Sequence, residues 1–150
     1  MARLLPQDFK EFLQLLNSNQ VRYLLIGGYA INLYGYSRNT EDLDVWVAIS
    51  PDNAERTAAA LREFGFSIAT AGHFLEKSQV VRMGVPPMRI EVLTEISGVE
   101  FDECHARRNM ERIGDIEVPV IGRDDLIANK LAAGRPKDLT DAERLRRLVR

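Results

Sequence analysis

Apolar residues recur at helical spacing between residues 7 and 19, where Phe9, Phe12, Leu13, Leu15 and Leu16 form one stripe that ends at Asn17-Ser18-Asn19. The pattern then shortens to an unbroken apolar run over 21–26, which predicts a strand. Gly27-Gly28 turns the chain into a second helix over 29–34, with Gly35 as its stop. A second strand is expected over 43–49. Ser50 suits a helix N-cap and Pro51 the first helical position, so a longer helix carries Ala54, Ala58, Leu61 and Phe64 and ends at Gly65. Strands follow over 79–83 and 88–93 around the turn 84–87, while 100–108 shows no decisive period. A hairpin is expected over 110–113 and 116–121 around Gly114-Asp115, then a helix from Asp124 to about Ala133 with Gly134 past its end. The last helix starts near Lys137 or near Thr140. Thr140-Asp141-Ala142-Glu143 has the form of a capping box, which favours the later start. Together these elements predict a single α+β domain over 1–150, a mixed β-sheet flanked by helices with a helical C-terminus.

Two positions break the apolar pattern in a telling way. Asp42 and Asp44 lie one residue apart at the head of the second strand, in Glu41-Asp42-Leu43-Asp44-Val45-Trp46-Val47. Residues two apart on a strand share a face, so the two carboxylates point together while Leu43 and Val45 point to the core. Adjacent acids repel, and both stay ionised only with a cation between them. Oxygen-only ligands favour Mg²⁺ or Mn²⁺ over zinc. Glu91 in Arg89-Ile90-Glu91-Val92-Leu93 repeats the logic on another strand, and the three acids converge if the two strands are neighbours. Asp-x-Asp alone is weak, because acids on a solvent-facing strand are common. The double glycine strengthens it, since backbone N–H groups at a helix start can face an anion. Cation and polyanion together point to a metal–nucleotide site.

Composition narrows the setting. The chain has 150 residues, 45% of them apolar, and no stretch near the roughly 20 apolar residues a membrane helix needs. Cys104 is the only cysteine, and the N-terminus lacks a signal-peptide pattern, so no membrane association and a reducing, cytoplasmic location are expected. A net charge of −2 excludes nucleic-acid binding by bulk electrostatics. From Arg123 to Arg150, however, eight Lys/Arg face five Asp/Glu, which makes a local basic face or simply a helix end whose cations suit the dipole. Cys104-His105 and the distant His73 do not have zinc spacing. Trp46 shares the Asp face and either stacks on a base or packs at the sheet edge. Arg38 either stabilises phosphate charge or pairs with Glu41 or Asp42. Thr40 would share the acid face and bond a phosphate or orient Asp42. A lysine placed as Lys130 is usually one whose head reaches solvent. Arg135 and Lys137, expected in a loop around Pro136, could contact phosphate or RNA, or pair with Asp138 and Asp141.

Gly27-Gly28, Asp42-x-Asp44 and the later strand acid Glu91 resemble the signature of the nucleotidyltransferase superfamily related to DNA polymerase β. The closer pattern, Gly-Gly-x-Ala and then Arg-x-Thr-x-Asp-Leu-Asp, is similar to its small bacterial branch, which includes abortive-infection-type toxins. The run from Asp125 through Gly134-Arg135-Pro136-Lys137-Asp138 to Asp141 resembles that branch too. The resemblance implies transfer of a nucleoside monophosphate from an NTP to a hydroxyl, with Mg²⁺ or Mn²⁺ held by Asp42, Asp44 and Glu91. It implies nucleotide contacts from Gly27, Gly28, Arg38, Thr40, Lys130 and Lys137. Members often carry Ser at the second glycine, and Gly28 supplies no such hydroxyl. The acceptor stays open between an RNA end such as that of tRNA, a protein, and a small molecule of the antibiotic type. A homodimer or a partner protein could complete so short a chain. A non-catalytic binding module on the same fold is the remaining alternative.

Overall fold

The computed structural model describes residues 5–35, 42–85 and 88–148. Its elements are α1 (Gln7–Ser18), β1 (Tyr23–Ile26), α2 (Gly27–Leu33), β2 (Asp42–Val47), α3 (Pro51–Phe64), β3 (Val80–Met83), β4 (Arg89–Leu93), α4 (Phe101–Ala106), β5 (Asn109–Ile113), β6 (Ile116–Val120), α5 (Arg123–Ala133) and α6 (Pro136–Arg147), with a 3-10 turn at Ala71–Phe74. The six strands form one sheet in the order β3-β4-β2-β1-β6-β5. Parallel pairs (β2 with β4, β1 with β6) alternate with antiparallel ones, so the sheet is mixed and the fold is α+β.

Alternation along the strands sorts side chains to two faces. One face carries Tyr23, Leu25, Leu43, Val45 and Val47, all essentially buried. Helix α1 covers this side: Phe9, Phe12, Leu13 and Leu16 are fully buried, the Tyr23 hydroxyl donates to Asn17 Oδ1 at 2.9 Å, and Phe12 meets Phe64 of α3 edge-on. Each such large side chain contributes roughly 1.5–3 kcal/mol by leaving water. The α3 termini follow the expected chemistry. Ser50 Oγ accepts from the Asn53 N–H at 3.1 Å, Pro51 opens the helix, and Gly65 closes it at φ 105°. Asn53 then ties strand ends together, accepting from the Arg22 N–H and donating to the Arg22 and Ala48 carbonyls.

The opposite face carries Asp42, Asp44 and Trp46 on β2. Trp46 is 2% exposed and meets Phe101 of α4 edge-on, so it packs rather than waits for a base. The stretch without a clear period, 100–108, holds the short helix α4.

Two expectations are corrected here. The last helix begins at Pro136, not near Thr140, and Arg135 and Lys137 lie at its start rather than in a loop. Pro136 suits the first helical position, and the buried Asp138 carboxylate accepts from the Arg135 backbone N–H at 3.3 Å and from its guanidinium at 2.7 Å. Thr140 is already inside the helix and donates to the Pro136 carbonyl at 3.0 Å, so its resemblance to a cap is coincidental.

Candidate active site

Register builds the site. In the β2–β4 parallel pair Asp42 faces Arg89 and Asp44 faces Glu91, so Glu91 lies on the same sheet face as both aspartates. On the other side of β2, the antiparallel return from β1 sets Ile26 opposite Asp44. Gly27, the next residue, is thereby carried up against the carboxylate. It adopts φ +71°, and a methyl group there would collide with Asp44 Oδ2 and sit 3.2 Å from its Cγ. After the glycine pair the chain leaves the sheet through α2 and re-enters it at β2, and the β1–β2 pairing closes that connection on itself. Gly27→Ala is expected to cost about 1–2 kcal/mol for the left-handed backbone alone, and to displace Asp44 besides. Chemical denaturation and circular dichroism would check this.

Charge is concentrated at this point. The Arg89 Nη2 donates to Asp42 Oδ2 at 2.9 Å, and its Nε lies 3.6 Å from Glu91 Oε2. Arg82, opposite Glu91 on β3, reaches the same Glu91 oxygen at 2.7 Å. Asp44 meets no arginine in this set. Burial, the charges of Glu91 and Asp42, and a hydrogen bond with Glu91 push its carboxyl up to about 7, against the pull of the Lys130 cation. Asp44 Oδ1 is buried and has no hydrogen-bond partner among the described residues. A buried, unsatisfied carboxylate oxygen among further carboxylates fits a hard divalent cation, which Asp42, Asp44 and Glu91 could hold. Among the described residues no three acidic, His or Cys side chains already stand as a ligand set; Arg89 and Arg82 engage the outer two acids instead.

The raised carboxyl has a pH consequence. Below about pH 4 Asp44 is protonated in folded and unfolded chains alike. Between about 4 and 7 the folded chain holds a proton that the unfolded chain has released, so stability falls as pH rises through this window and levels off above it. The contribution is on the order of 2–4 kcal/mol. Denaturation of the metal-free protein at pH 5 and pH 8 should show it as a difference from Asp44→Asn, which removes the titrating group and leaves other carboxyls in place.

Lys130 does not reach solvent. Its side chain is 11% exposed, and Nζ lies 3.5 Å from Asp138 Oδ1 and 3.4 Å from Asp141 Oδ2, both on α6. Of the pairing expected for Arg135 and Lys137 with Asp138 and Asp141, the contact of Arg135 with Asp138 is present, and the second cation on these two acids is Lys130. Lys137 is exposed in the first turn of α6. Arg38 and Thr40 lie outside the described residues, as does Glu41. Sequence reasoning passed over Arg89 and Arg82. The signal was present, because Arg89 sits two residues before Glu91 and so shares its face. Cys104 is fully buried with its thiol pushed up to about 12 by burial and by Asp125, an inert position.

A glycine turn pressed onto a strand-borne Asp-x-Asp, with a third acid delivered by the neighbouring parallel strand, is the convergence that the resemblance to nucleotidyltransferases implied. The profile of the family described as nucleotidyl transferase AbiEii toxin, type IV toxin–antitoxin system, matches residues 15–148, and the chain belongs to that family. No curated protein matches the sequence. In fold the chain is similar to the lincosamide antibiotic adenylyltransferase LnuA, solved with lincomycin bound, at 15% identity and TM-score 0.64 over 97% of this chain and 99% of that one. It is also similar to the antibiotic-resistance factor ANT(2″)-Ia, at 12% identity and TM-score 0.57 over 92% and 80% of the two chains. A third likeness is an antigenic nucleotidyltransferase-like protein from Paracoccidioides brasiliensis, at 16% identity and TM-score 0.53 over 92% and 72%. Among the described residues no helix is long and apolar enough to cross a membrane.

Proposed function

We propose that residues 1–150 form a single nucleotidyltransferase domain that transfers a nucleoside monophosphate from an NTP to a hydroxyl on an RNA end, such as that of tRNA, or on a protein, as one component of a toxin–antitoxin pair. The observation that carries the site assignment is the Asp44–Glu91 register, which sets a third carboxylate beside Asp-x-Asp on one face. Asp42, Asp44 and Glu91 would hold Mg²⁺ or Mn²⁺. When bound, the cation neutralises phosphate charge and makes the acceptor hydroxyl easier to deprotonate.

The chain's own residues supply the rest. The acceptor oxygen forms a bond to the α-phosphorus, the α–β bridging P–O bond breaks, and pyrophosphate leaves with that electron pair. Glu91 takes the acceptor proton. Gly27 and Gly28 present backbone N–H groups to the phosphates with no side chain in the way, which compensates for the absent Ser hydroxyl. Arg38 and Thr40 supply phosphate contacts from the segment before β2. Lys130, on the acid side of the sheet and close enough for its charge to be felt at Asp44, reaches the triphosphate, and Lys137 offers a second cation from the α6 start. The basic stretch of α6 supports a polyanionic acceptor, since Arg144, Arg146 and Arg147 are all exposed. The single cysteine supports a cytoplasmic setting, and the family description supports a bacterial one with a partner antitoxin.

A small-molecule acceptor is the second reading. It is favoured by the similarity in fold and extent to LnuA, a chain of this kind that holds lincomycin. The test is incubation with each labelled NTP and Mg²⁺, with total tRNA, with protein extract, or with a panel of hydroxyl-bearing antibiotics. Label in RNA or protein that disappears with Asp44→Ala supports the first reading. Label confined to the antibiotic arm replaces it with the second, and no label in any arm replaces both with a non-catalytic module.

A further inference from the structure

Arg89 engages acids that would hold the proposed cation. Its Nη2 contacts Asp42 Oδ2 at 2.9 Å and its Nε faces Glu91 Oε2 at 3.6 Å, so one guanidinium spans two of the three acids. The span follows from strand geometry. Residues 89 and 91 project to one face, and the parallel register sets Arg89 beside Asp42. The contact is also imperfect. Arg89 Nε is buried and lacks a hydrogen bond among the described residues, since 3.6 Å is too long for one. A guanidinium held by one good bond and one long approach leaves more readily than a bidentate fork. Arg82 differs, because it meets Glu91 from the solvent side with 59% of its side chain exposed against 32% for Arg89.

We propose that Arg89 is a built-in counter-ion of the acid cluster, which a divalent cation must displace, so that this residue sets the cation affinity of the site. The inference rests on the metal-dependent reading above. The chain without cation keeps Asp42 and Glu91 engaged by its own arginine, and the folded site exists before the nucleotide arrives. A cation held by these acids would compete with the guanidinium for the carboxylates, and two positive groups sharing one acid cluster repel. Removing the guanidinium therefore has opposite effects on the two forms: the cation-free protein loses a stabilising partner, and the cation meets less competition.

The experiment is a calorimetric titration of Mn²⁺ into the full chain without nucleotide, for wild type, Arg89→Gln, Arg89→Lys and Asp44→Asn, with melting temperatures in EDTA and in saturating Mn²⁺. Arg89→Gln is expected to bind Mn²⁺ about three- to tenfold more tightly. It should melt below wild type in EDTA and recover most of that difference in Mn²⁺. Arg89→Lys, which keeps the charge but not the planar fork, should fall between. Equal or weaker Mn²⁺ binding by Arg89→Gln overturns the inference and makes Arg89 a residue that positions the acids instead. If that happens while Asp44→Asn abolishes wild-type binding, the metal-dependent reading survives. If wild type itself takes up no Mn²⁺, the reading and the inference both fall.

Discussion

Asp44→Asn is expected to lower nucleotide transfer by at least about 10²–10³-fold and to make the cation-free protein more stable at pH 8. The activity loss follows from removing a charged oxygen where phosphate charge must be neutralised, where single preorganised groups are worth that much. The stability gain follows from the same burial. Asp44 lies beside two other acids with its carboxyl pushed up to about 7, so at pH 8 the folded chain carries an ionised group it would sooner keep protonated. Asn keeps the shape and removes the charge. Initial rates with a labelled NTP, set against denaturation midpoints at pH 8, read both effects on one preparation. A variant that is stabler and inactive separates function from folding in one step. Undiminished transfer would remove Asp44 from the machinery altogether.

The second large effect lies on the helical side. Lys130→Met should destabilise the chain by about 2–4 kcal/mol. The lysine serves Asp138 and Asp141, which are 0% and 3% exposed, and its removal leaves buried carboxylates short of a cation. The figure sits below the full cost of breaking a buried pair because Arg135 still holds Asp138 at 2.7 Å. Adding Asp141→Asn to Lys130→Met should return part of the loss. A double variant as unstable as the single one would show that Met, and not the acid that lost its lysine, caused the damage. If Lys130 also reaches the triphosphate, the apparent KM for NTP rises in the double variant even where stability has been restored.

Much of this was legible from pattern. Period-two alternation fixed which side of β2 and β4 faces the core, and so which side bears the acids. Ser50-Pro51 and Gly65 marked the ends of α3 because each meets a local backbone demand. The stop and start of α6 were less accessible. Thr140-x-x-Glu143 and Arg135-Pro136-Lys137-Asp138 both read as helix starts, and the choice between them depended on Asp138 becoming buried against α5, a tertiary outcome. Arg89 was overlooked for a related reason. An arginine near acids on a strand looks like ordinary surface pairing until the neighbouring strand is placed, and only the β2–β4 register shows that its partner is Asp42.

That register has a consequence for how such a chain can vary. Between β2 and β4 lie α3, the 3-10 turn and β3, and the connections between these elements can change length at little entropic cost. Within the strands the tolerance vanishes. A one-residue slip of β4 against β2 would move Ile90 and Val92 out of the core at the same time as it turned Glu91 into it. The hydrophobic interior thus acts as a proofreader for the chemistry: an alignment error that would misplace the third carboxylate is one the fold itself rejects. Insertions and deletions in relatives should accordingly gather in those connections and spare the paired segments, whatever acceptor each relative serves.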